Sequence, residues 1–218
     1  MDMVYAAQRL GYEYMAFCDH SHGLAIANGL AIDRLVEKMD LIAGLNDEVE
    51  GFSILVGTEV EIRADGKLDY PDEILGRCDV VVASVHSGYN QREREMTGRI
   101  IEAMESEHVD VIGHPTGRKI GEREAYEVDL ERVLEAAART GTAMEINAHP
   151  SRLDLNDRWS RRAKELGVKL AINTDAHSTC GLSAMEYGVK TARRGWLEKG
   201  DVINTLGLQD LLRYLHRG

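Results

Sequence analysis

Short apolar runs alternate with longer segments of helical spacing along almost the whole chain. The segment Leu30–Val49 carries Leu35, Met39, Ile42 and Leu45 at steps of three and four residues, as the buried face of a helix requires. Six runs have the length and composition of buried strands: Tyr14–Cys18, Ile54–Gly57, Val80–Val85, Val109–Ile112, Ala143–Ile146 and Lys169–Ile172. Regular alternation of strand and helix predicts a parallel α/β sheet, either open or closed into a barrel.

Two further segments, Val128–Arg139 and Asp157–Leu166, have helical spacing and end close to glycines, Gly141 and Gly167. Glycine is common just after the last residue of a helix, so both segments are predicted to be complete helices. No Pro-, Gly- or Ser-rich linker divides the sequence, and we therefore expect one domain over residues 1–218.

Composition excludes several classes of protein. A formal net charge of −11 argues against a surface that binds nucleic-acid phosphates over its whole area, so contact with DNA would need local cations, bound metals or a separate module. No apolar run reaches the roughly 18 residues that span a bilayer, and no signal-peptide pattern opens the chain. The dispersed cysteines Cys18, Cys78 and Cys180 form no Cys-x-x-Cys pair, which argues against a thiolate zinc site and favours a cytoplasmic location.

Polar residues that can bind metals recur at the ends of the predicted strands. These ends carry Asp19 and His20, Glu59 and Glu61, His86, His114, Asn147 and His149, and Asp175 and His177. In barrel enzymes the carboxyl ends of the strands form the active-site face, whereas an open sheet gathers its ligands at one or two switch points. Six strands that contribute to one rim therefore predict a closed or nearly closed barrel.

Four of the eight histidines follow an apolar run at the same place in the repeat: His20, His86, His114 and His177. A single histidine of this kind is ordinarily a hydrogen-bonded residue, and this is our interpretation of His22, His108 and His216. The four recurring imidazoles and the carboxylates Glu59 and Asp175 together predict an open catalytic site for several metals, with zinc, manganese or iron as candidates. Adjacent metals activate water and hold both oxygens of a displacement at phosphorus, which fits the hydrolysis of phosphate esters.

Spacing alone leaves two choices open. Glu61 lies two residues from Glu59, on the same side of an extended strand, so either carboxylate could be the ligand. His149 follows a strand one place away from the cluster, and a position outside the site is the favoured interpretation.

Basic residues follow two of the strand ends. Arg118 and Lys119 come after the strand of His114, and Arg152 comes after the strand of His149. Each could contact a phosphate of the substrate. For Lys119 a solvated loop position is an equally good interpretation, so Arg118 and Arg152 are the predicted substrate-binding residues.

Taken together, six stretches resemble the polymerase and histidinol phosphatase (PHP) superfamily of metal-dependent phosphoesterases. They are FCDHS (17–21), GTEVEI (57–62), ASVHSG (83–88), IGHPTGR (112–118), EINAHP (145–150) and NTDAHS (173–178). Four longer stretches most resemble the PHP domain at the C-terminus of bacterial and archaeal family X DNA polymerases: DGKLDYPDEIL (65–75), SVHSGYNQ (84–91), SRLDLND (151–157) and YGVKTARRGW (187–196). The resemblance covers nearly all 218 residues.

The resemblance implies a distorted barrel of about seven strand–helix units that binds up to three metals, zinc and/or manganese. It matches Glu59 to a carboxylate that bridges two metals, and so favours Glu59 over Glu61 as the ligand. The other matched ligands are His86 and His114 of one metal, Asp175 of a second, and His20 and His177 of the third. Glu59 and Asp175 are then the implied catalytic residues, because they hold the metals that activate a hydroxide.

One motif of the family is missing. The first strand of the family carries His-x-His followed by Ser-Asp-Gly, whereas Met1–Leu10 of this chain matches the helix after that strand. We therefore expect a (β/α)7-type barrel that lacks its first strand, in an N-terminally truncated domain with unpaired sheet edges. Only the site of Glu59, His86 and His114 keeps all its ligands, so fewer than three metals are expected.

Three functions are compatible with these observations. The first is the PHP domain of a family X DNA polymerase, a phosphodiesterase with 3′–5′ exonuclease and 3′-end processing activity that reaches DNA 3′ ends through a polymerase module. The second is a stand-alone phosphatase of a small phosphorylated metabolite such as histidinol phosphate. The third is a non-catalytic module that supports a polymerase and is inactive without the first motif. None of the three involves a membrane.

Overall fold

A six-stranded parallel sheet organises the protein, whose computed structural model describes residues 1–24 and 28–215. The strands are β1 (Tyr14–His20), β2 (Ser53–Glu61), β3 (Val80–Ser84), β4 (Val111–Ile112), β5 (Ala143–Asn147) and β6 (Leu170–Asn173). They pair in the order of the sequence, each parallel to the next. The sheet curls into a half-barrel surrounded by helices, so the predicted distorted α/β barrel is confirmed.

The α-helices of the described residues precede the first strand, connect the strands and follow the last one. They are α1 (Asp2–Arg9), α2 (Ile32–Glu48), α3 (Asp72–Leu75), α4 (Glu93–Met104), α5 (Leu130–Thr140), α6 (Asp157–Glu165), α7 (Met185–Arg194) and α8 (Leu208–Leu215). At the start of α5, Asp129 accepts a hydrogen bond from the backbone of Arg132, and α5 ends at Gly141 in the left-handed conformation. The side chain of Asn156 caps α6 in the same way. Local sequence signals therefore fix both predicted helices.

The first strand of the sheet pairs on one side within the described residues. There β1 pairs with β2 alone, and residues 1–13, which precede it, contain α1 and no strand. The described residues thus form six of the about seven strands that the resemblance implies. The extent of the domain, residues 1–218, stays a prediction. Over residues 1–24 and 28–215, no helix is both long enough and apolar enough to cross a membrane.

The two faces of the sheet pack against different parts of the chain. Along β2, Ile54 and Val56 join the large core under the helices, while Leu55 joins a smaller core on the opposite face. This alternation follows from the two-residue repeat of a strand. Leu211 and Leu215 of α8 complete the smaller core, so the C-terminal helix covers the second face of the sheet.

Every strand except β6 differs in length from its predicted run, and β2 differs the most. Strand β2 continues to Glu61 instead of ending at Gly57, so both candidate carboxylates lie within regular pairing to the neighbouring strands. Strand β4 is shorter because the Asp110 carboxylate accepts the backbone N–H of Val81 at 2.8 Å, in place of a ladder bond. The extension of β2 gives Glu59 a rigid backbone.

Candidate metal centre

Glu59 in β2 lies between three imidazoles at the carboxyl ends of the strands. His20 is its direct partner in the β1–β2 register, so the two side chains leave the sheet at the same level. His20 Nδ1 is 3.3 Å from Glu59 Oε2. The Nε2 atoms of His86 and His114 are 3.1 Å and 2.9 Å from Glu59 Oε1. We call these four residues the Glu59 cluster.

Three residues of the Glu59 cluster have donor atoms that fit a divalent metal. One ligand atom from each of His20, Glu59 and His86 lies within 4.8 Å of the others, a separation that one ion can bridge. His20 Nδ1 and His86 Nε2 are buried, and neither has a hydrogen-bond partner of acceptable geometry in the described part of the chain. Buried polar atoms without partners are rare and costly. Imidazole with carboxylate suits zinc, manganese or iron.

Glu61 contacts the backbone of His86 and the ring nitrogen that does not face Glu59. Its Oε2 accepts the backbone N–H of His86 at 3.0 Å and lies 2.9 Å from the ring Nδ1. Its Oε1 accepts the Ser87 hydroxyl at 2.7 Å and lies 3.3 Å from Nη2 of the buried Arg99. A proton on Nδ1 that points at Glu61 leaves Nε2 of His86 free as a ligand. The structure thus places Glu59 among the imidazoles and Glu61 outside them.

His114 is held through its backbone. It has a φ of 28°, which is unfavourable for a residue with a Cβ atom. Its backbone N–H donates to Glu145 Oε2 at 2.5 Å, and Asn173 donates to the other oxygen of Glu145 at 2.9 Å. Burial raises the pKa of Glu145 to about 7. Sequence reasoning missed this role, because Glu145 lies inside a strand and not at its end.

The electrostatics of the metal-free cluster favour a proton on His86. Burial opposes the charged imidazole, but the carboxylates of Glu59 and Glu61 outweigh it and raise the pKa of His86 to about 9. Burial would also raise the pKa of Glu59, yet the contacts with His114 and His86 hold it well below its usual value. Burial lowers the pKa of His20. A metal that binds His86 therefore displaces a proton at neutral pH.

The residues after β6 are arranged more loosely. The side chain of His177 is 79% exposed, and its Nδ1 lies 2.9 Å from the backbone oxygen of Asp175. Asp175 has a φ of 52°, so the backbone is not extended between the two predicted ligands. Asp175 Oδ2 accepts from Asn147 at 3.2 Å and lies 3.5 Å from Nε of Arg152. Asp175 and His177, which we call the β6 pair, are not part of the donor group of His20, Glu59 and His86.

Both groups of residues line one cleft of about 500 Å³. Its walls are formed by His20, Leu24, Glu59, His86, Tyr89, His114, Lys119, Arg123, His149, Ser151, Arg152, Asp175 and His177. All six predicted metal ligands are in this set, and so is His149, which the sequence favoured as an outside residue. Tyr89 and Arg123 were missed. Nothing in the spacing of the loop after β4 distinguishes Arg123 from Arg118.

The predicted phosphate-binding arginines differ in position. Arg152 lines the cleft, and its Nη1 is buried with no hydrogen-bond partner among the residues described. Arg118 is not among the lining residues, and its Nη2 donates to the backbone oxygens of Arg152 and Leu153 at 2.7 Å each. Contact between Arg118 and a phosphate stays a prediction, while its hydrogen bonds hold the backbone of Arg152.

Two of the remaining histidines, His22 and His108, are described by the structure, and neither lines the cleft. His22 lies 3.4 Å from the carboxylate of Asp69, and His108 lies 3.9 Å from that of Glu107. His216 lies outside the described residues.

Comparisons with known proteins give relatives of two kinds. The chain is similar to the DNA polymerase/3'-5' exonuclease PolX of Bacillus subtilis (strain 168), with 46% identity over 216 residues, 99% of this chain and 38% of that protein. It is also similar to a probable phosphatase of Thermoanaerobacter sp. (strain X514), with 35% identity over 171 residues, 74% of this chain and 67% of the phosphatase. The chain thus spans well under half of the polymerase and about two thirds of the phosphatase. No protein-family model matches it.

A solved structure supports the fold. The chain resembles the crystal structure of a histidinol phosphate phosphatase from Lactococcus lactis, complexed with zinc, L-histidinol and phosphate, at a TM-score of 0.60. The match covers 90% of this chain and 87% of that one, with 16% sequence identity. At this identity the likeness concerns the fold alone.

Proposed function

Because the chain belongs to the PHP superfamily, we propose that it is a metal-dependent phosphoesterase with its metal centre at the Glu59 cluster. The observation that carries this proposal is the convergence of three imidazoles on one buried carboxylate at the wall of a cleft. A structural zinc site is closed by four protein ligands, whereas a catalytic site keeps a position open. A volume of about 500 Å³ is ample for a phosphate ester.

The Glu59 cluster would hold the first metal, and the β6 pair would complete the site for a further one. Zinc and/or manganese fit this donor set, with Glu59 and Asp175 as the carboxylates closest to the chemistry. A bound divalent metal supplies Lewis acidity and lowers the pKa of a coordinated water.

Several residues of the chain prepare the site for this chemistry. Glu61 orients His86, and Glu145 fixes the backbone of His114. Arg152 directs its partly unused guanidinium at the cleft, where Nη1 can donate to a phosphate oxygen. Arg118 acts on the substrate through the backbone of Arg152. A charge-assisted hydrogen bond from Arg152 to the phosphate would stabilise the charge that develops there in the transition state.

DNA 3′ ends are the proposed substrate. The relative that matches 99% of the chain carries 3'-5' exonuclease in its name. The net charge of −11 argues against a domain that grips DNA over its own surface, so a polymerase module would supply that contact. The cations of the cleft, Lys119, Arg123 and Arg152, would then meet only the last nucleotides of the strand.

A small phosphate ester is the second candidate substrate. The phosphatase relative is matched over two thirds of its length, and the fold is that of a histidinol phosphate phosphatase. The same metal centre would serve a phosphomonoester, with the leaving alcohol in the outer part of the cleft.

Assays with two substrates test the proposal. The purified chain, loaded with manganese or zinc, is incubated with a 5′-labelled single-stranded oligonucleotide and, separately, with p-nitrophenyl phosphate. We expect shortening of the oligonucleotide from its 3′ end, and loss of this activity in His114→Ala. Arg161→Ala, which alters an arginine whose side chain is 58% exposed outside the cleft, should keep the wild-type rate.

The outcomes separate the candidates. Hydrolysis of p-nitrophenyl phosphate without shortening of the oligonucleotide would favour the phosphatase. Equal rates of wild type and His114→Ala would contradict the assignment of the site. Tight metal binding without either activity would favour a non-catalytic module.

A further inference from the structure

One wall of the cleft is a layered stack of side chains. The rings of Tyr126 and Tyr89 are nearly parallel, with centroids 6.2 Å apart and an interplanar angle of 13°. The guanidinium carbon of Arg123 lies 4.0 Å from the centroid of Tyr89. Tyr126 is buried and donates its hydroxyl to the backbone oxygen of Pro115 at 2.8 Å. We call Tyr126, Tyr89 and Arg123 the arginine stack; it begins in the core and reaches the cleft.

Hydrogen bonds hold Arg123 in this position. Its Nε and Nη2 donate to the backbone oxygen of Gly117 at 3.0 Å and 2.7 Å. Its own backbone pairs in both directions with that of Lys119. An arginine that is ordered before a ligand arrives loses little further side-chain entropy on binding, which favours affinity.

The charge of Arg123 is not matched by a nearby carboxylate. Arg152 lies 3.5 Å from Asp175, and Lys119 lies 3.9 Å from Glu122. Arg123 forms no such pair with any carboxylate of the described residues; its contacts are a carbonyl oxygen and an aromatic ring. In a chain of net charge −11, a cation without a carboxylate at the wall of a cleft is available to a ligand.

Of the three side chains in the arginine stack, Arg123 is the one on which a planar group of a ligand can stack. The ring of Tyr89 has the guanidinium of Arg123 against it and the ring of Tyr126 nearly parallel to it, so it already has two partners. Arg123 packs its guanidinium carbon against the ring of Tyr89 and also lines the cleft. The part of Arg123 that lines the cleft can therefore accept the face of a nucleobase, as arginine planes do in complexes with single-stranded nucleic acids.

We propose that Arg123 is a specificity-determining residue on which the base of a nucleoside phosphate ester stacks while its phosphate lies at the metal centre. This inference rests on the proposed phosphoesterase function and narrows its substrate to nucleotide esters. A small aliphatic ester gains nothing from the stack. Because stacking on a guanidinium depends on the plane and not on the edge of the base, little preference among the bases is expected.

Two diesters with the same leaving group test the proposal. Thymidine 5′-(p-nitrophenyl phosphate) and methyl p-nitrophenyl phosphate both release p-nitrophenol and differ in the group that stays on phosphorus. The metal-loaded wild type should prefer the thymidine ester in kcat/KM. In Arg123→Ala this preference should fall about tenfold, mainly through KM, consistent with the loss of one base-stacking contact. Rates on the methyl ester, which has no base to stack, should fall much less.

Two further variants separate stacking from charge and from folding. Arg123→Lys keeps the charge and loses the plane, so it should lose most of the preference as well. Arg161→Ala, outside the cleft, should keep it. If Arg123→Ala slows both esters equally, or if Arg123→Lys retains the full preference, the stacking role is refuted.

A binding measurement decides the proposal without turnover. Calorimetry compares thymidine 5′-monophosphate with inorganic phosphate on the metal-loaded protein. Arg123→Ala should weaken the nucleotide about tenfold and leave inorganic phosphate unchanged. Equal affinities of wild type and Arg123→Ala for the nucleotide would overturn the inference. Failure to hydrolyse either ester would instead count against the proposed function, so the two can fail separately.

Discussion

The Glu59 cluster and the β6 pair face the same cleft but are held in different ways. In the cluster, His20 and Glu59 are paired residues of neighbouring strands, and the side chains of His86 and His114 are 9% and 3% exposed. In the β6 pair, the side chain of His177 is 79% exposed. The predicted ligands therefore differ in preorganisation, although the sequence motifs that carry them are equally recognisable.

The difference teaches that strand register positions a ligand more firmly than the turn after a strand. Backbone ladders on both sides of β2 fix Glu59. Asp175 lies after the end of β6 with a φ of 52°, and its neighbours are the side chains of Asn147 and Arg152. We expect the tightest metal to bind at the Glu59 cluster, while the β6 pair contributes to a weaker site.

The largest effect is expected from Glu59→Gln, which removes the one carboxylate that three imidazoles share. Zinc affinity should fall by more than about 100-fold, because changes to mere hydrogen-bond partners of ligands already cost roughly 10–100-fold. Asp175→Asn should cost clearly less. Competition with a chromogenic chelator measures both. Equal losses in the two variants would remove the distinction between the two groups.

The next effect concerns Glu61, which touches His86 but not the metal. Glu61→Gln keeps the volume and removes the charge, and zinc affinity should fall roughly 10–100-fold. The buried Arg99 also loses its carboxylate, so unfolding of the metal-free protein should become easier by up to about 3–5 kcal/mol. Urea denaturation measures this loss.

Ser87→Ala serves as the matched control for Glu61. It removes one hydrogen bond to Glu61 and leaves the charge of the carboxylate and its contact with Arg99 in place. Its effects should be small in both measurements. If Glu61→Gln destabilises the protein and leaves zinc affinity intact, Glu61 supports the fold and not the metal.

The pH dependence of zinc binding tests the protonation of the cluster. The pKa of His86 is raised to about 9 in the metal-free protein. Below this pH zinc must displace a proton, so affinity should rise about tenfold per pH unit from near 7 and level off above 9. The contacts that raise this pKa also stabilise the folded, metal-free protein. Their contribution is fully present below pH 6.5, the ordinary pKa of a histidine, and is lost as the pH rises through about 9. Zinc affinity independent of pH over this range would contradict the assignment.

Periodicity and strand-end chemistry were enough to predict the sheet. All six apolar runs form strands of the sheet. His20, His86 and His114 could be found because the carboxyl ends of parallel strands meet at one edge. Spacing alone did not separate Glu59 from Glu61, because residues two apart on a strand point to the same side. Only the resemblance to the family favoured Glu59.

The parts that escaped prediction depend on contacts between distant residues. Glu145 accepts a hydrogen bond from the backbone N–H of His114, which lies 31 residues away in the sequence. No local sequence pattern predicts this contact. Arg123 reaches the cleft because the segment after β4 folds back on itself at Lys119. Arg118, a predicted substrate-binding residue, donates to the backbone oxygens of Arg152 and Leu153. A strand shows a two-residue period in its sequence, whereas a loop shows none, so the conformation of a loop is not predicted by periodicity.

The most direct test of the account is a paired measurement of zinc affinity in His86→Ala and His177→Ala. If the tightest metal is held by the Glu59 cluster, His86→Ala weakens it by more than about 100-fold, and His177→Ala weakens it by less than about tenfold, below the range of lost hydrogen-bond partners. A loss in His177→Ala equal to or greater than that in His86→Ala would contradict the account.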